Sequence, residues 1–255
     1  MGYMAFTDDG TMFVSASFNL GKPAPTIGWD TATWTEKWRL MEDRIMSRHA
    51  VSGDGKWYAA DRGNEPGGPS GVLKIWDTTT QTMVHSQECS SSCRLAWPAD
   101  GRVLLFQFTG TPAILDRQTK KMLTTESGRR GDSGVEGEIS AIAITADGRG
   151  YALGDVYGGS AVLVTASGKL VKSLPRLNQG VGVVGDLAFI DNRKLLVAHR
   201  ACEFALFDVT SGKALAFTRD KNAGKRPTSD IDYHPGSPRF AAYCGSEVVV
   251  YELLK

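Results

Sequence analysis

A turn signal recurs six times in this chain at nearly even intervals: Asp9-Gly10, Asp54-Gly55, Asp100-Gly101, Asp147-Gly148, Asp191-Asn192 and Gly236-Ser237. The steps are 45, 46, 47, 44 and 45 residues, so one structural unit is repeated along the sequence. Asp-Gly or Asp-Asn behind a short apolar run signals a β-hairpin, because a tight two-residue turn wants the positive φ that Gly and Asn supply cheaply. Periods of about 40–50 residues belong to propeller blades, not to helical or leucine-rich arrays. Runs such as Val103 to Phe106 and Val248 to Tyr251 are apolar at consecutive positions. That pattern marks a strand buried on both faces, as in a blade packed between two neighbours.

The fifth unit shows the content of one repeat. Val184 to Phe189 reads as strand A, Lys194 to Ala198 as B, Phe204 to Asp208 as C and Ala214 to Phe217 as D. The predicted fold is all-β, a propeller with six recognisable four-stranded blades, as one domain over 1–255. The blades fall at about 1–41, 42–87, 88–126, 137–175, 183–219 and 227–255. The last blade stops after strand C at Tyr251, and the first starts almost at its strand A. A ring lacking one outer strand leaves an apolar edge. The expectation is therefore that the chain belongs to a longer, seven-bladed protein. The alternatives are a ring with a three-stranded last blade, or a partner that donates the strand.

Ile75-Trp76-Asp77 before Thr78, Gly28-Trp29-Asp30 before Thr31, and Phe207-Asp208 before Val209-Thr210-Ser211-Gly212-Lys213 resemble strand C and the C–D turn of WD40 repeats. Ile142 to Gly148 is similar to that family's strand A and Asp-Gly turn. The Gly-His dipeptide ahead of strand A is absent, and the third, fourth and sixth units lack the Trp. The family's hydrogen-bonded network is therefore incomplete here, and stability is expected from apolar packing between blades. The resemblance implies a non-catalytic platform for a protein or peptide partner.

The candidate partner site follows from loop length and repeat position. A–B and C–D turns are short, whereas Phe18 to Thr26, Asp61 to Gly71, Glu126 to Glu138, Pro175 to Gly182 and Arg219 to Thr228 are long. B–C and D–A connections are thus expected to gather on one elaborated rim, where binding residues usually sit. The position just ahead of strand A's first core residue is Tyr3, Arg48, Arg94, Ala141, Asp186 and Asp230. These are expected around the channel mouth. Arg62, Tyr157 and Arg200 join them from the B–C connections. Arg and Tyr are effective anchors on a pre-organised surface.

Other chemistry finds little support. The net charge is +1, and Arg129-Arg130 and Lys221 to Arg226 are each compensated by nearby acids, unlike a nucleic-acid-binding stripe. His49, His85, His199 and His234 form no ligand set, and no metal or other cofactor is expected. Asp186 and Asp230 are too few for the calcium site of a propeller hydrolase, and Arg48 and Arg94 would repel the ion. An enzyme is therefore not expected, and a structural subunit of a larger complex is the stronger alternative. Cys89, Cys93, Cys202 and Cys244 suggest no disulfide framework in a chain of 255 residues. A Cys89–Cys93 bridge or half a metal site fits that spacing, but no matching pair supports it. No window reaches the roughly 18 apolar residues of a membrane span. No signal-peptide pattern opens the chain, so a cytoplasmic protein is expected.

Overall fold

The computed structural model describes residues 3–7, 9–17, 24–42, 46–62, 71–88, 94–99, 101–108, 111–124, 138–164, 170–176, 183–199, 202–219, 228–233, 238–244 and 247–253. Among them every regular element is a strand. The first sheet orders β1 (Tyr3–Phe6), β2 (Met12–Ala16), β3 (Ala24–Asp30) and β4 (Glu36–Glu42); the second β5 (Met46–Val51), β6 (Trp57–Arg62), β7 (Val72–Asp77) and β8 (Thr82–Glu88). The third holds β9 (Leu95–Ala96), β10 (Val103–Phe108), β11 (Thr111–Asp116) and β12 (Lys121–Thr124). In the fourth are β13 (Ile139–Ile144), β14 (Gly150–Asp155), β15 (Ser160–Val164) and β16 (Leu170–Leu174). The fifth has β17 (Val184–Asp191), β18 (Lys194–His199), β19 (Glu203–Asp208) and β20 (Ala214–Arg219). The sixth has only β21 (Thr228–Tyr233), β22 (Arg239–Cys244) and β23 (Glu247–Glu252).

Each sheet is an antiparallel meander in chain order, the build of a propeller blade; five are complete and the sixth is three-stranded. The chain divides into two compact units, residues 1–110 with 115–121, and residues 111–114 with 122–255. Within the first, β1, β5 and β9 lie successively side by side; within the second, β13, β17 and β21 do.

Two-sided burial explains the continuous apolar runs. In β18, Leu195 and Val197 point into a cluster with Ala141, Ala143 and Ala152 of the fourth sheet. Leu196 and Ala198 point the other way, into a cluster with Phe240 and Ala242 of the sixth. Alternate side chains of one strand thus serve two interfaces. The Phe204, Phe240 and Tyr251 rings meet with centroids 4.8 to 5.3 Å apart. In the first unit Met12, Trp38, Tyr58 and Trp76 fill the equivalent space between the first two sheets. Gly28 permits this, since a Cβ there would fall on the Trp38 indole.

At three of the Asp-Gly positions the turn is longer than the expected two-residue hairpin, whereas in the fifth unit only Asn192 and Arg193 separate the paired Asp191 and Lys194. Thr7 N–H donates to the Met12 carbonyl and Gly10 N–H to the Thr7 carbonyl, so four residues intervene; Ser52 with Trp57 and Thr145 with Gly150 repeat this. Gly10, Gly55, Gly101 and Gly148 all have φ between 60° and 68°. The Asp also does more than start the turn. Thr7, Ser52 and Thr145 hydroxyls donate to Asp9, Asp54 and Asp147 at 2.6 to 2.7 Å, and the same oxygens accept a backbone N–H two residues on. In the fifth unit Asn192 is not at positive φ; Asp191 holds that turn by accepting from the Arg193 and Lys194 N–H groups. Gly236-Ser237 lies outside the described residues.

The turns between third and fourth strands share this rim. Thr31 and Thr78 hydroxyls donate to the Gly10 and Gly55 carbonyls at 2.7 Å, and Arg117 Nε donates to that of Gly101 at 3.0 Å while its guanidinium lies 3.9 Å over the Trp57 ring. Each of the four such turns among the described residues places one residue in the left-handed region. Gly212 fills that place in the fifth sheet, but Trp34, Gln81 and Lys120 occupy it at φ near 55° in the first three. For a side chain that conformation costs about 1–2 kcal/mol. Gln81→Gly and Lys120→Gly are each expected to stabilise the protein by about 0.5–1 kcal/mol, after the added unfolded-state entropy of Gly, read as a higher denaturation midpoint.

The cysteine expectation is corrected. Cys202 and Cys244 are bonded, their Cα atoms 5.8 Å apart and 42 residues apart in sequence, joining the fifth sheet to the sixth. Neighbouring repeats bring residues about one period apart together, so two cysteines suffice without a wider framework. Cys89 and Cys93 lie outside the described residues. Closing a loop of this length stabilises by about 4 kcal/mol in the chain-entropy picture. Dithiothreitol, or Cys202→Ser with Cys244→Ser, is expected to lower the urea-unfolding free energy by about 2–4 kcal/mol. An unchanged midpoint would show that the bridge contributes nothing.

Candidate functional site

The first strand of each sheet begins at the end opposite these turns. Four of the six positions counted ahead of strand A occupy equivalent places in the register. Tyr3 pairs with Ala16, Arg48 with Asp61, Ala141 with Gly154 and Asp186 with Ala198, each partner the fifth residue of its second strand. Arg94 immediately precedes β9, and Asp230 lies within the register shift between Thr228 and Ile231. Comparable shifts precede Arg48, Ala141 and Asp186. A small residue, Ser47, Ser140, Gly185 or Ser229, sits at each irregularity. Such bulges bend a strand and re-aim the side chain beside them.

The described side chains do different jobs. Asp186, half-buried, accepts from its neighbour Leu187 N–H at 2.9 Å and, with the other oxygen, from Ile231 N–H of the sixth sheet at 3.0 Å. It is a tie between adjacent first strands. Ser140, which the sequence reading missed, does the same a sheet earlier: its hydroxyl donates to the Val184 carbonyl at 2.6 Å and lies 3.3 Å from that of Gly154. Gly154 lets Val184 approach, since any Cβ there would overlap that side chain. A Ser or Gly at the same offset in four units is the signal that could have found this tie.

Tyr157 is presented outwards. It is 55% exposed on the turn between β14 and β15, whose fully buried Asp155 accepts from the Tyr157 and Gly159 N–H groups at 2.8 Å each. Val156 N–H donates to the Glu138 carbonyl, fastening this turn beside the start of β13. Apart from the five long connections, the links on this side are short. Only residues 156–159 separate β14 from β15, and β10–β11, β18–β19 and β22–β23 are joined by two or three residues. Most of the five long connections lies outside the described residues, as does Arg200. Tyr3, Arg48, Arg62 and Asp230 are described as strand residues without their side chains. Arg94 is half-buried.

His49, one residue beyond Arg48, is a half-buried titratable group at this end of the second sheet. Its ring lies edge-on to Tyr58 with centroids 6.0 Å apart, and its Nδ1 is 3.5 Å from the Tyr58 hydroxyl. Burial pushes its pKa down to about 4, against a backbone hydrogen bond with Met4 that favours the cation. His85 is also lowered, by burial and by nearby Lys120. A depressed histidine leaves the folded state neutral while the unfolded chain takes up a proton below about 6.5, so stability is full above that pH and falls towards pH 4. The loss from His49 should reach about 3 kcal/mol at pH 4. His49→Gln is expected to flatten the stability profile between pH 6.5 and 4.5, measured by urea denaturation; an unchanged slope would assign the titration elsewhere.

Among the described residues no group of three or more His, Cys, Asp or Glu side chains is placed to hold a metal ion. The described residues include no helix long and apolar enough to cross a membrane. The chain matches no protein-family model, and comparison with curated proteins gives no match.

Proposed function

We propose that this protein is a non-catalytic, WD40-like interaction scaffold of six blades that binds a protein or peptide on the rim carrying Tyr3, Arg48, Arg94, Asp186 and Asp230. The observation that carries this reading is a contrast between the two rims. On one, hydroxyl, carboxylate and glycine recur at fixed offsets and are spent on each other. On the other, a single register position carries Tyr, Arg, Ala or Asp. Repetition suits a scaffold, and variation at a fixed place suits recognition, where a few rigid aromatic and Arg anchors supply most of the binding energy. Tyr157, on its pinned turn, is such an anchor. No reaction is needed for this role, and no nucleic acid, metal or cofactor enters it.

A second reading, a structural subunit of a larger assembly, is favoured by the last sheet, where Val248 and Val250 are 71% and 62% exposed. Contiguous exposed apolar residues mark interaction surfaces. Peptides selected from a display library on the wild-type protein test the rim reading. Binding is expected to fall at least roughly tenfold in Arg48→Glu/Arg94→Glu, or in Tyr157→Ala, and to survive Lys56→Glu on the short-turn rim. Peptides that bind all these variants equally would place recognition elsewhere.

A further inference from the structure

The sixth sheet ends in an edge strand, β23, where every other sheet carries a fourth strand. Glu203 of β19 and Glu247 of β23 occupy one repeat position: the first pairs with His199 at the end of β18, the second with Cys244 at the end of β22. The strands also match residue for residue, Glu-Phe-Ala-Leu-Phe-Asp against Glu-Val-Val-Val-Tyr-Glu. In the fifth sheet the fourth strand β20 covers that edge. Its last residue, Arg219, places Nε 3.3 Å from a Glu203 carboxylate oxygen. Glu247 is exposed and has no ion-pair partner among the described residues.

The apolar side chains repeat the comparison. Val249 and Tyr251 pack inwards on the fifth sheet. Val248 and Val250 stand where β19 has Phe204 and Leu206, which are 2% and 8% exposed because the sixth sheet lies over them. The edge, one face and one carboxylate of β23 are therefore open together.

We infer that β23 is completed by an extended segment of another polypeptide, paired antiparallel to it, with Arg or Lys at its C-terminal end opposite Glu247 and apolar residues opposite Val248 and Val250. The main chain supplies affinity in such strand addition, and the alternate side chains and the terminal cation supply specificity. Charge argues against a second copy. Antiparallel pairing of two β23 strands about the centre of their Val248 to Tyr251 run sets Glu247 against Glu252 at both ends, and like charges directly opposite are destabilising. The chain's stretches outside the described residues are short, or rich in Gly, Pro and charge, and none reads as an alternating apolar strand with a basic end. The inference deepens the subunit reading and is independent of the rim.

The probe is a fluorescent peptide copying residues 213–219, the fourth strand of the fifth sheet, compared with versions ending in Glu or carrying Pro at its centre. In anisotropy titrations the Arg-ended peptide is expected to bind at least roughly tenfold tighter than the Glu-ended one, the size of one charge-assisted hydrogen bond. Glu247→Lys should reverse that order, and the Pro peptide should not bind. Arg48→Glu/Arg94→Glu should leave all of this unchanged. Equal affinity for the Arg and Glu peptides would overturn the inference while leaving docking on this edge in place. Binding of neither would overturn both. Concentration-dependent dimerisation abolished by Glu247→Lys with Glu252→Lys would assign the edge to a second copy instead.

Discussion

The fifth sheet of this protein is buried on both faces, and that constraint organises the rest. A sheet with one wet face can stand at the surface of a sandwich; a sheet with none has to lie between two others. Leu195 to Ala198 state the condition in four residues, since successive side chains enter different clusters. Close approach is then set where side chains give way to glycine. Gly154 accepts Val184 of the next sheet, and Gly28 lets the Trp38 indole of the adjacent strand lie over it, both at positions that tolerate no Cβ.

The two rims follow from the same geometry but have been put to different ends. Where strands turn back at Asp-Gly, backbone groups at the strand ends need partners, and Thr7, Ser52 and Thr145 provide them with one hydroxyl each. Two of the carboxylates that accept from these hydroxyls, Asp9 and Asp147, are held below the ordinary range, chiefly by Thr7 and Thr145. At the other end the first strands are bolted together by Ser140 and Asp186, leaving neighbouring positions free to vary without loosening the stack.

Much of this was legible in the sequence, and the exceptions have physical reasons. The apolar runs marked the strands, because double burial leaves no polar alternation to hide them. The Asp-Gly positions marked the turns, yet not their size, since the hydroxyl three residues before the Gly sets the loop as much as the Gly does. The left-handed residues Trp34, Gln81 and Lys120 carry no signal, as only Gly212 shows what their position demands. The register position of Arg48 and Asp186 was found by counting from strand A. Its role at Asp186 was not, because a tie to Ile231 belongs to the neighbouring repeat. The Cys202–Cys244 bond escaped for the same reason: 42 residues is far apart in the chain and adjacent across one blade interface.

That bond also makes the last sheet sensitive to its chemical surroundings. Glutathione and thioredoxin keep thiols reduced in an ordinary cytosol, whereas secreted and lumenal proteins keep their disulfides. In an oxidising compartment the sixth sheet is joined covalently to the fifth, next to the strand with the open edge. In a reducing one, the same sheet is held by the packing of Phe204, Phe240, Tyr251 and their neighbours and by hydrogen bonds such as that from Ile231 N–H to Asp186. The compartment in which the chain folds therefore decides whether the three-stranded sheet is held by a covalent bond or only by non-covalent contacts.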